Sequence, residues 1–461
     1  MGFVTRPLVA VLVLMAGRLA PADAADLRAA AFRVDVTPPV GDGPCVGFIP
    51  RVESIEHPLL MKGLILQNGS NTYVLAAVDF CGIANSSDLR LRRAIAEAAE
   101  TTPERVALQS LHQHTAPVLD TDAARILFGE AHPRFLAHQQ FQETVAHAAS
   151  KAVTEARETL RPVVRIVGTK ARVKQVGANR RVRRADGSIG IRFSVTREPE
   201  IRDADEGLID PWLRSLTFFD SDRAIVQLHY YATHPQTTSG GRVSYDTVGL
   251  ARERSEQATG IPTIHFNGCG GNITLGKYND GTPEARERLT TRLFEAMQQS
   301  NAAIHGRADC DVAPAALDDA AIRWDAVEAP FMIRDDAPYD LVTLRQQLSD
   351  AQSAGVRLKA ACFLAFRERL EAGDRPTITR LRIGALDIAH LPGEPFVEHQ
   401  LLAQHTGRAG GFVCVAGYGD CGVWYYGPDS IYTDRGGYEQ TWCLTGPCEK
   451  TVAAALRRLL Q

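Results

Sequence analysis

Apolar and polar positions alternate or run together along the chain in lengths that alternate between strand-like and helix-like. FRVDVTP (Phe32–Pro38) alternates and then stops at two prolines, and TYVLAAVDF (Thr72–Phe80) and RVALQSL (Arg105–Leu111) are apolar runs of buried-strand length. Between the last two, SSDLRLRRAIAEAAETTPE has helical periodicity, with Ser86 or Ser87 placed to cap it. A second helix is expected over HPRFLAHQQFQETVAHAASKAVTEAR, and helical patterns recur over 284–302 and 336–371 and in the terminal TVAAALRRLLQ. VVRIVGTKARV, RLRIGALDIAHLP and GFVCVAGYG read as strands, and NRRVRRADGSIG as an arginine-rich turn segment. Strand, helix and strand in succession predict an α/β fold with mixed sheets flanked by helices. No linker, repeat or low-complexity segment breaks the pattern, so one catalytic domain over residues 26–461 is expected rather than two modules.

The first 25 residues differ from the rest. A basic residue (Arg6), an apolar run from Leu8 to Ala16 and the small-residue string PADAAD read as a signal peptide cut near Ala24 or Ala25. The expected location is therefore secreted or periplasmic. No other run is long enough to span a bilayer. The 51 basic and 54 acidic residues nearly cancel, which argues against a nucleic-acid surface. Export permits disulfides among the nine cysteines; Cys443 with Cys448 and Cys414 with Cys421 are the local pairs. No CxxC occurs, so the spacing is not that of a zinc finger.

Four segments carry candidate chemistry. SLHQHTAPV puts His112 and His114 just after a strand, where α/β sheets place functional groups. VQLHYYATHPQTT brings His234 to a similar strand end, with Asp246 following in GGRVSYDTVG. LDIAHLPGEPF exposes Glu394 in a Pro-Gly-Glu-Pro turn, and GYGDCGVWYYGPDSIYTDRGGYE crowds Tyr418, Tyr425, Tyr426, Tyr432 and Tyr438 into a glycine-rich loop. Two imidazoles, a carboxylate and a phenol form a donor set for zinc with one position left for water. Arg180 and Arg181 stand ready to hold a carbonyl, a carboxylate or a developing oxyanion.

In this order the blocks resemble the catalytic domain of the neutral/alkaline non-lysosomal ceramidase family. RVDVTPP, SLHQHTAP, Asn179-Arg180, THPQTT with VSYD, Leu391-Pro392-Gly393-Glu394 and Tyr438-Glu439 each correspond to a family block. The resemblance implies that His112, His234, Glu394 and Tyr425 bind Zn2+, with room for an additional Mg2+ or Ca2+ ion. Tyr426 is the rival of Tyr425, since counting back from Tyr438 favours it, and otherwise it is a catalytic group. His114 and Arg180 are implied as catalytic and substrate-binding groups, Tyr432 as a substrate contact, and Asp246 as a residue orienting His234 or a nearby loop.

Three departures bear on the substrate. NGCGGNIT puts Gly271 or Asn272 where some family members have a nucleophilic serine, so water activated by metal is expected instead of a serine acyl-enzyme. Cys269 has no evident neighbouring base. The immunoglobulin-like C-terminal domain of full-length ceramidases has no counterpart after the tyrosine block, and no long apolar insertion marks a membrane platform. The expected activity is zinc-dependent amide hydrolysis. Its expected partner is a lipid amide such as ceramide, or a different small amide or ester. A binding protein that keeps the fold without catalysis is the alternative.

Overall fold

The structure, a computed structural model, describes residues 27–41, 51–308, 311–315, 322–329, 331–350 and 353–461. The expected signal peptide, Cys45 and Cys310 lie outside the described residues.

Two sheets pack face to face between helices. The larger runs in spatial order Ile322–Glu328, Thr377–Ile383, Leu386–Pro392, Phe412–Gly419, Val106–Ser110, Asn71–Val78, Leu60–Asn68, Leu27–Asp35 and Arg161–Pro162. Its pairs are antiparallel except Asn71–Val78 with Val106–Ser110 and Leu386–Pro392 with Phe412–Gly419. The smaller sheet is Thr263–Asn267, Arg223–Tyr231, Trp212–Asp220, Arg165–Arg172 and Asp311–Ala315, with only its first pair parallel.

Strand periodicity sorts the side chains into layers. Leu64, Leu66, Leu75 and Ala77 join Leu228, Tyr230 and Phe266 of the smaller sheet in one buried cluster. Their chain neighbours Ile65, Val74, Ala76 and Val78 pack on the other face against Leu91, Ile95, Phe141 and Val145 of helices Ser86–Ala98 and Pro133–Arg157. Both faces of these strands are buried, which is why their sequences read as continuous apolar runs. Farther along the same sheet, Val413 and Val415 face helices Ala354–Glu371 and Glu449–Leu460, whereas Cys414 and Ala416 face the inter-sheet core. Helices Asp246–Thr259 and Pro283–Ile304 pack on the smaller sheet.

A buried ion pair ties the layers together. Arg252, on the first of those two helices, donates to both oxygens of Asp79 at 2.7 and 2.9 Å, and Asp79 also accepts the Leu60 amide at 2.9 Å. Removing one partner of such a fork leaves a buried charge uncompensated, at a cost of about 3–5 kcal/mol.

Several details differ from the sequence reading. The helical pattern over 336–371 forms two helices, Leu341–Asp350 and Ala354–Glu371, and RLRIGALDIAHLP is a hairpin turned at Gly384 (φ 57°). The arginine-rich turn contains a short ribbon, Arg181–Arg183 paired with Ile189–Ile191. Neither Ser86 nor Ser87 caps its helix. Asn85 (φ 55°) holds the N-cap position, and Ser87 Oγ instead accepts the Thr121 amide at 2.9 Å. Cys414, Cys421, Cys443 and Cys448 form no disulfide. Alternation puts Cys414 in the inter-sheet core, while Cys421 lies past the strand end, 3.4 Å from Ser110 Oγ.

Asp120 gives the fold a pH dependence. It accepts the Ala123 amide at the start of helix Thr121–Phe128 and the Asn85 side-chain amide at 2.9 Å, yet burial pushes its carboxyl up to about 7. The folded state therefore binds this proton more tightly than the unfolded state, whose aspartate titrates near 4. Its stabilisation is present in full below pH ~4 and is lost as pH rises towards ~7, a change of about 4 kcal/mol. Urea unfolding at pH 5 and pH 8 should show about 2.5 kcal/mol of this loss, and Asp120→Asn should flatten it.

Candidate metal centre

Strand ends and tight turns build the site. After Val106–Ser110 the chain continues with Leu111 and His112 donating their amides to Val78 and Phe80. His112 then adopts φ 63°, a left-handed conformation that is uncommon for a non-glycine residue and often marks a functional site. Its Nδ1–H donates to the Cys81 carbonyl at 2.6 Å. A carbonyl only accepts, so the proton is fixed on Nδ1 and the Nε2 lone pair faces inward.

Glu394 comes from the opposite side. Gly393 (φ 64°) donates its amide to the Gly419 carbonyl at 2.6 Å, and a Cβ there would lie 2.6 Å from the Trp424 carbonyl. Only glycine suits that turn, and it aims the next side chain at His112. Glu394 Oε2 stops 3.1 Å from His112 Nε2 and has no hydrogen-bond donor. His234 follows Arg223–Tyr231, its amide held by Ile273 at 3.0 Å, and its Nε2 lies 2.9 Å from His114 Nε2. His112, His234 and Glu394 are 3%, 2% and 2% exposed, so water screens them little.

Two electron-pair acceptors at 3.1 Å in a buried site repel unless a proton or a cation lies between them. Three ligand atoms, from His112, His234 and Glu394, lie within 4.8 Å of one another. Zinc bonds of about 2.0–2.1 Å in a tetrahedron put neighbouring ligand atoms roughly 3.3 Å apart. The donor set and the unsatisfied carboxylate oxygen therefore fit a divalent cation such as zinc. A second grouping, Cys81, His112 and His114, also falls within that spread. In it Cys81 Sγ lies 4.0 Å from His112 Nδ1, whose proton is already given to the Cys81 carbonyl.

Around this set stand Arg180 and three tyrosines. Arg180 is buried and donates to the Tyr425 hydroxyl at 3.2 Å, its guanidinium lying 5.9 Å from the Tyr425 ring and 5.5 Å from the Tyr438 ring. The nearby carboxylates of Glu439 and Asp434 are taken by Arg181 instead. Burial, and then the neighbouring His112 and Arg180, hold the His114 imidazole well below its usual range. His234 is lowered in the same way by burial and then by Arg180 and the neighbouring imidazoles. The phenols of Tyr418 and Tyr425 are pushed well up by burial and then by Glu394.

Tyr425 stacks parallel to His234 with ring centres 6.4 Å apart, and its strand residue pairs with Glu394. Tyr426 points elsewhere: its hydroxyl donates to the Pro392 carbonyl at 2.9 Å and its ring packs on Phe331 and His399. Successive residues of an extended segment face opposite ways, so the pair cannot share the site. The catalytic part read for Tyr426 has no footing in that position. Tyr432 is likewise turned away, its hydroxyl donating to the Thr445 and Gly446 carbonyls. Asp246 makes no contact with the His234 ring. It accepts the Thr237 amide and hydroxyl and so anchors the loop after His234.

Two neighbours of the site, Tyr418 and Tyr438, were named in the tyrosine-rich loop but given no role. Tyr418, fully buried with φ 61°, stacks on His112 with ring centres 4.7 Å apart and leaves its hydroxyl without a partner. Tyr438 lies edge-on to Tyr425 and to Phe193. The density of tyrosines in the loop was a signal for both, but not for which ring turns inward. The position expected for a serine is closed. A Cβ on Gly271 would lie 2.4 Å from the Glu394 carbonyl oxygen, and the Asn272 side chain is committed to Val397 and Glu398. Burial pushes the Cys269 thiol well above its usual range, away from the nucleophilic thiolate.

The chain superposes on the crystal structure of neutral ceramidase from Pseudomonas aeruginosa with a TM-score of 0.66 at 16% identity, covering 95% of this chain and 74% of that one. On a ceramidase complexed with C2 the TM-score is 0.65 at 15% identity, covering 94% and 74%. No protein-family model and no curated protein matches the chain. At such identity the likeness shows the fold: mixed α/β, with sheets flanked by helices as in the ceramidase catalytic domain.

Zinc titration of the purified chain should give tight binding that Glu394→Gln weakens by more than the roughly 10–100-fold typical of losing an outer hydrogen-bond partner. Tyr418→Leu, which removes the ring stacked on His112, should fall within that range, and Tyr418→Phe should cost less. Equal affinity in all four proteins would place the cation elsewhere.

Proposed function

We propose that the chain is an exported, zinc-dependent hydrolase that cleaves an amide bond with water, and that ceramide is the substrate to test first. The observation that carries this reading is the 3.1 Å approach of His112 Nε2 to Glu394 Oε2, two buried groups that a cation between them would reconcile. His112, His234 and Glu394 would hold it, with the phenol of Tyr425 nearby. Zinc in such a set polarises a carbonyl and lowers the pKa of water.

The chain's own groups supply the rest. Arg180 is a buried guanidinium whose hydrogen-bonding partner is a phenol rather than a carboxylate, so its charge remains available to an oxyanion developing on the substrate carbonyl. His114, kept neutral, accepts the proton that water loses on attack. As the C–N bond breaks, that proton passes to the leaving amine, giving a carboxylic acid and an amine. Phe193, half exposed beside Tyr438, adds an apolar lip that suits an acyl or sphingoid chain. Neither Gly271 nor Cys269 offers a covalent route.

Zinc-loaded protein should release fatty acid from a short-chain ceramide, and His112→Ala should abolish both the zinc and the release. Arg180→Ala should keep the zinc and lower kcat by about 10²–10³-fold, the scale of losing one oxyanion donor. Zinc without release would discard ceramide and direct the search to smaller amides and esters. A chain that takes up no zinc would overturn the metal-dependent reading.

A further inference from the structure

One short segment braces both histidine loops of the metal centre. Arg242–Val243 pairs in parallel with Ser54–Ile55, so the residues that follow each strand, Ser244 to Asp246 and Glu56 with His57, meet side by side. The Ser244 amide donates to the Thr115 carbonyl at 3.4 Å, and its carbonyl accepts the Thr115 hydroxyl at 3.2 Å. Thr115 is the residue after His114. Two residues beyond Ser244, Asp246 accepts the Thr237 amide and hydroxyl and so holds the loop that follows His234.

The Ser244 hydroxyl is fully buried and meets three nitrogens. Its oxygen lies 3.0 Å from the Asp246 amide, 2.7 Å from the Arg286 guanidinium and 3.1 Å from His57 Nδ1. The first two can only donate, and together they fill both lone pairs of the hydroxyl. Its one proton therefore goes to His57 Nδ1, which must be an acceptor. That fixes the imidazole as neutral, with its proton on Nε2. Arg286 is itself held by both oxygens of Glu56, at 2.9 and 3.1 Å.

A proton on His57 Nδ1 breaks this arrangement. The nitrogen then donates, and Ser244 has no lone pair left to receive it. A competing acceptor stands close by, because Glu56 Oε2 lies 3.9 Å from the same nitrogen. The His57 ring is half-buried and stacks on Tyr245 with ring centres 4.5 Å apart, so it exchanges protons with solvent. Burial is the largest influence and holds it below its usual range. Glu56 and Asp246 oppose that effect, while Arg286 and Arg242 reinforce it.

We propose that Ser244 is the positioning residue for both histidine loops and that His57 is its switch. Neutral His57 accepts the Ser244 proton and keeps the loops braced; protonated His57 turns to Glu56 and loosens them. The inference rests on the metal-centre reading and adds to it a control of zinc binding by a residue outside the ligand set.

Zinc affinity of the full chain, measured by competition with a chelating dye between pH 5.5 and 8, tests this against His57→Gln and Ser244→Ala. The amide oxygen introduced by His57→Gln accepts the Ser244 proton at every pH. That variant should match the wild type at pH 8 and bind zinc about threefold or more tightly than it at pH 5.5. Ser244→Ala should weaken zinc at pH 8 by about tenfold, the lower end of what losing an outer hydrogen-bond partner costs. Histidine NMR supplies a second readout. Linkage is reciprocal, so His57 should titrate lower with zinc bound than without, and in Ser244→Ala zinc should no longer move it. Zinc binding with superimposable pH profiles for the wild type and His57→Gln would overturn the switch and leave the metal centre standing. A wild type that takes up no zinc at pH 8 would overturn both.

Discussion

The structure turns on one close contact, His112 Nε2 facing the carboxylate of Glu394 at 3.1 Å with almost no water to screen it, which needs a proton or a cation between the two. It is imposed by backbone positions at the ends of strands: His112 at φ 63°, Gly393 at φ 64° and Tyr418 at φ 61°. Left-handed residues persist only where their surroundings over-determine them, and here two sheets packed on an apolar interface supply that constraint. The Cys81 carbonyl then removes the remaining freedom by holding the His112 proton on the far nitrogen.

The smaller sheet contributes the other half of the site. His234 sits at the end of Arg223–Tyr231, and the glycine run from Gly268 to Gly271 lets that region press against the Glu394 turn. The close approach that makes glycine necessary at position 271 also excludes a serine there. Packing and chemistry are thus coupled: a chain built this tightly behind its carboxylate leaves no room for a side-chain nucleophile at position 271. Arg180 fits the same scheme. Its amide is tied to the Asn272 carbonyl, so the guanidinium is anchored to the loop that packs on Glu394.

Much of this was legible in the sequence. Strands buried on both faces announce themselves as apolar runs, and helices such as Pro133–Arg157 by their period, so the α/β class followed directly. His112, His234 and Glu394 each stand just after a strand, and the resemblance placed them together although they are distant in the chain. The tyrosines were harder. Tyr425 and Tyr426 are adjacent, and which of them faces inward depends on the pairing of Glu394 with Tyr425, a register no local pattern reveals. Tyr418 was named without its place against His112 for a related reason, because a positive φ at a non-glycine residue has no sequence signature. The pairing of the cysteines was left open, because closeness in sequence says little when alternation sends Cys414 into the core.

The most direct test is anomalous diffraction at the zinc edge from crystals of the zinc-soaked protein. A cation site predicts one strong peak bounded by His112 Nε2, His234 Nε2 and Glu394 Oε2, with the His112 Nδ1 bond to the Cys81 carbonyl intact. The contradicting result is no peak there, with His112 doubly protonated and donating directly to Glu394, which would make the pair a buried ion pair and not a metal centre.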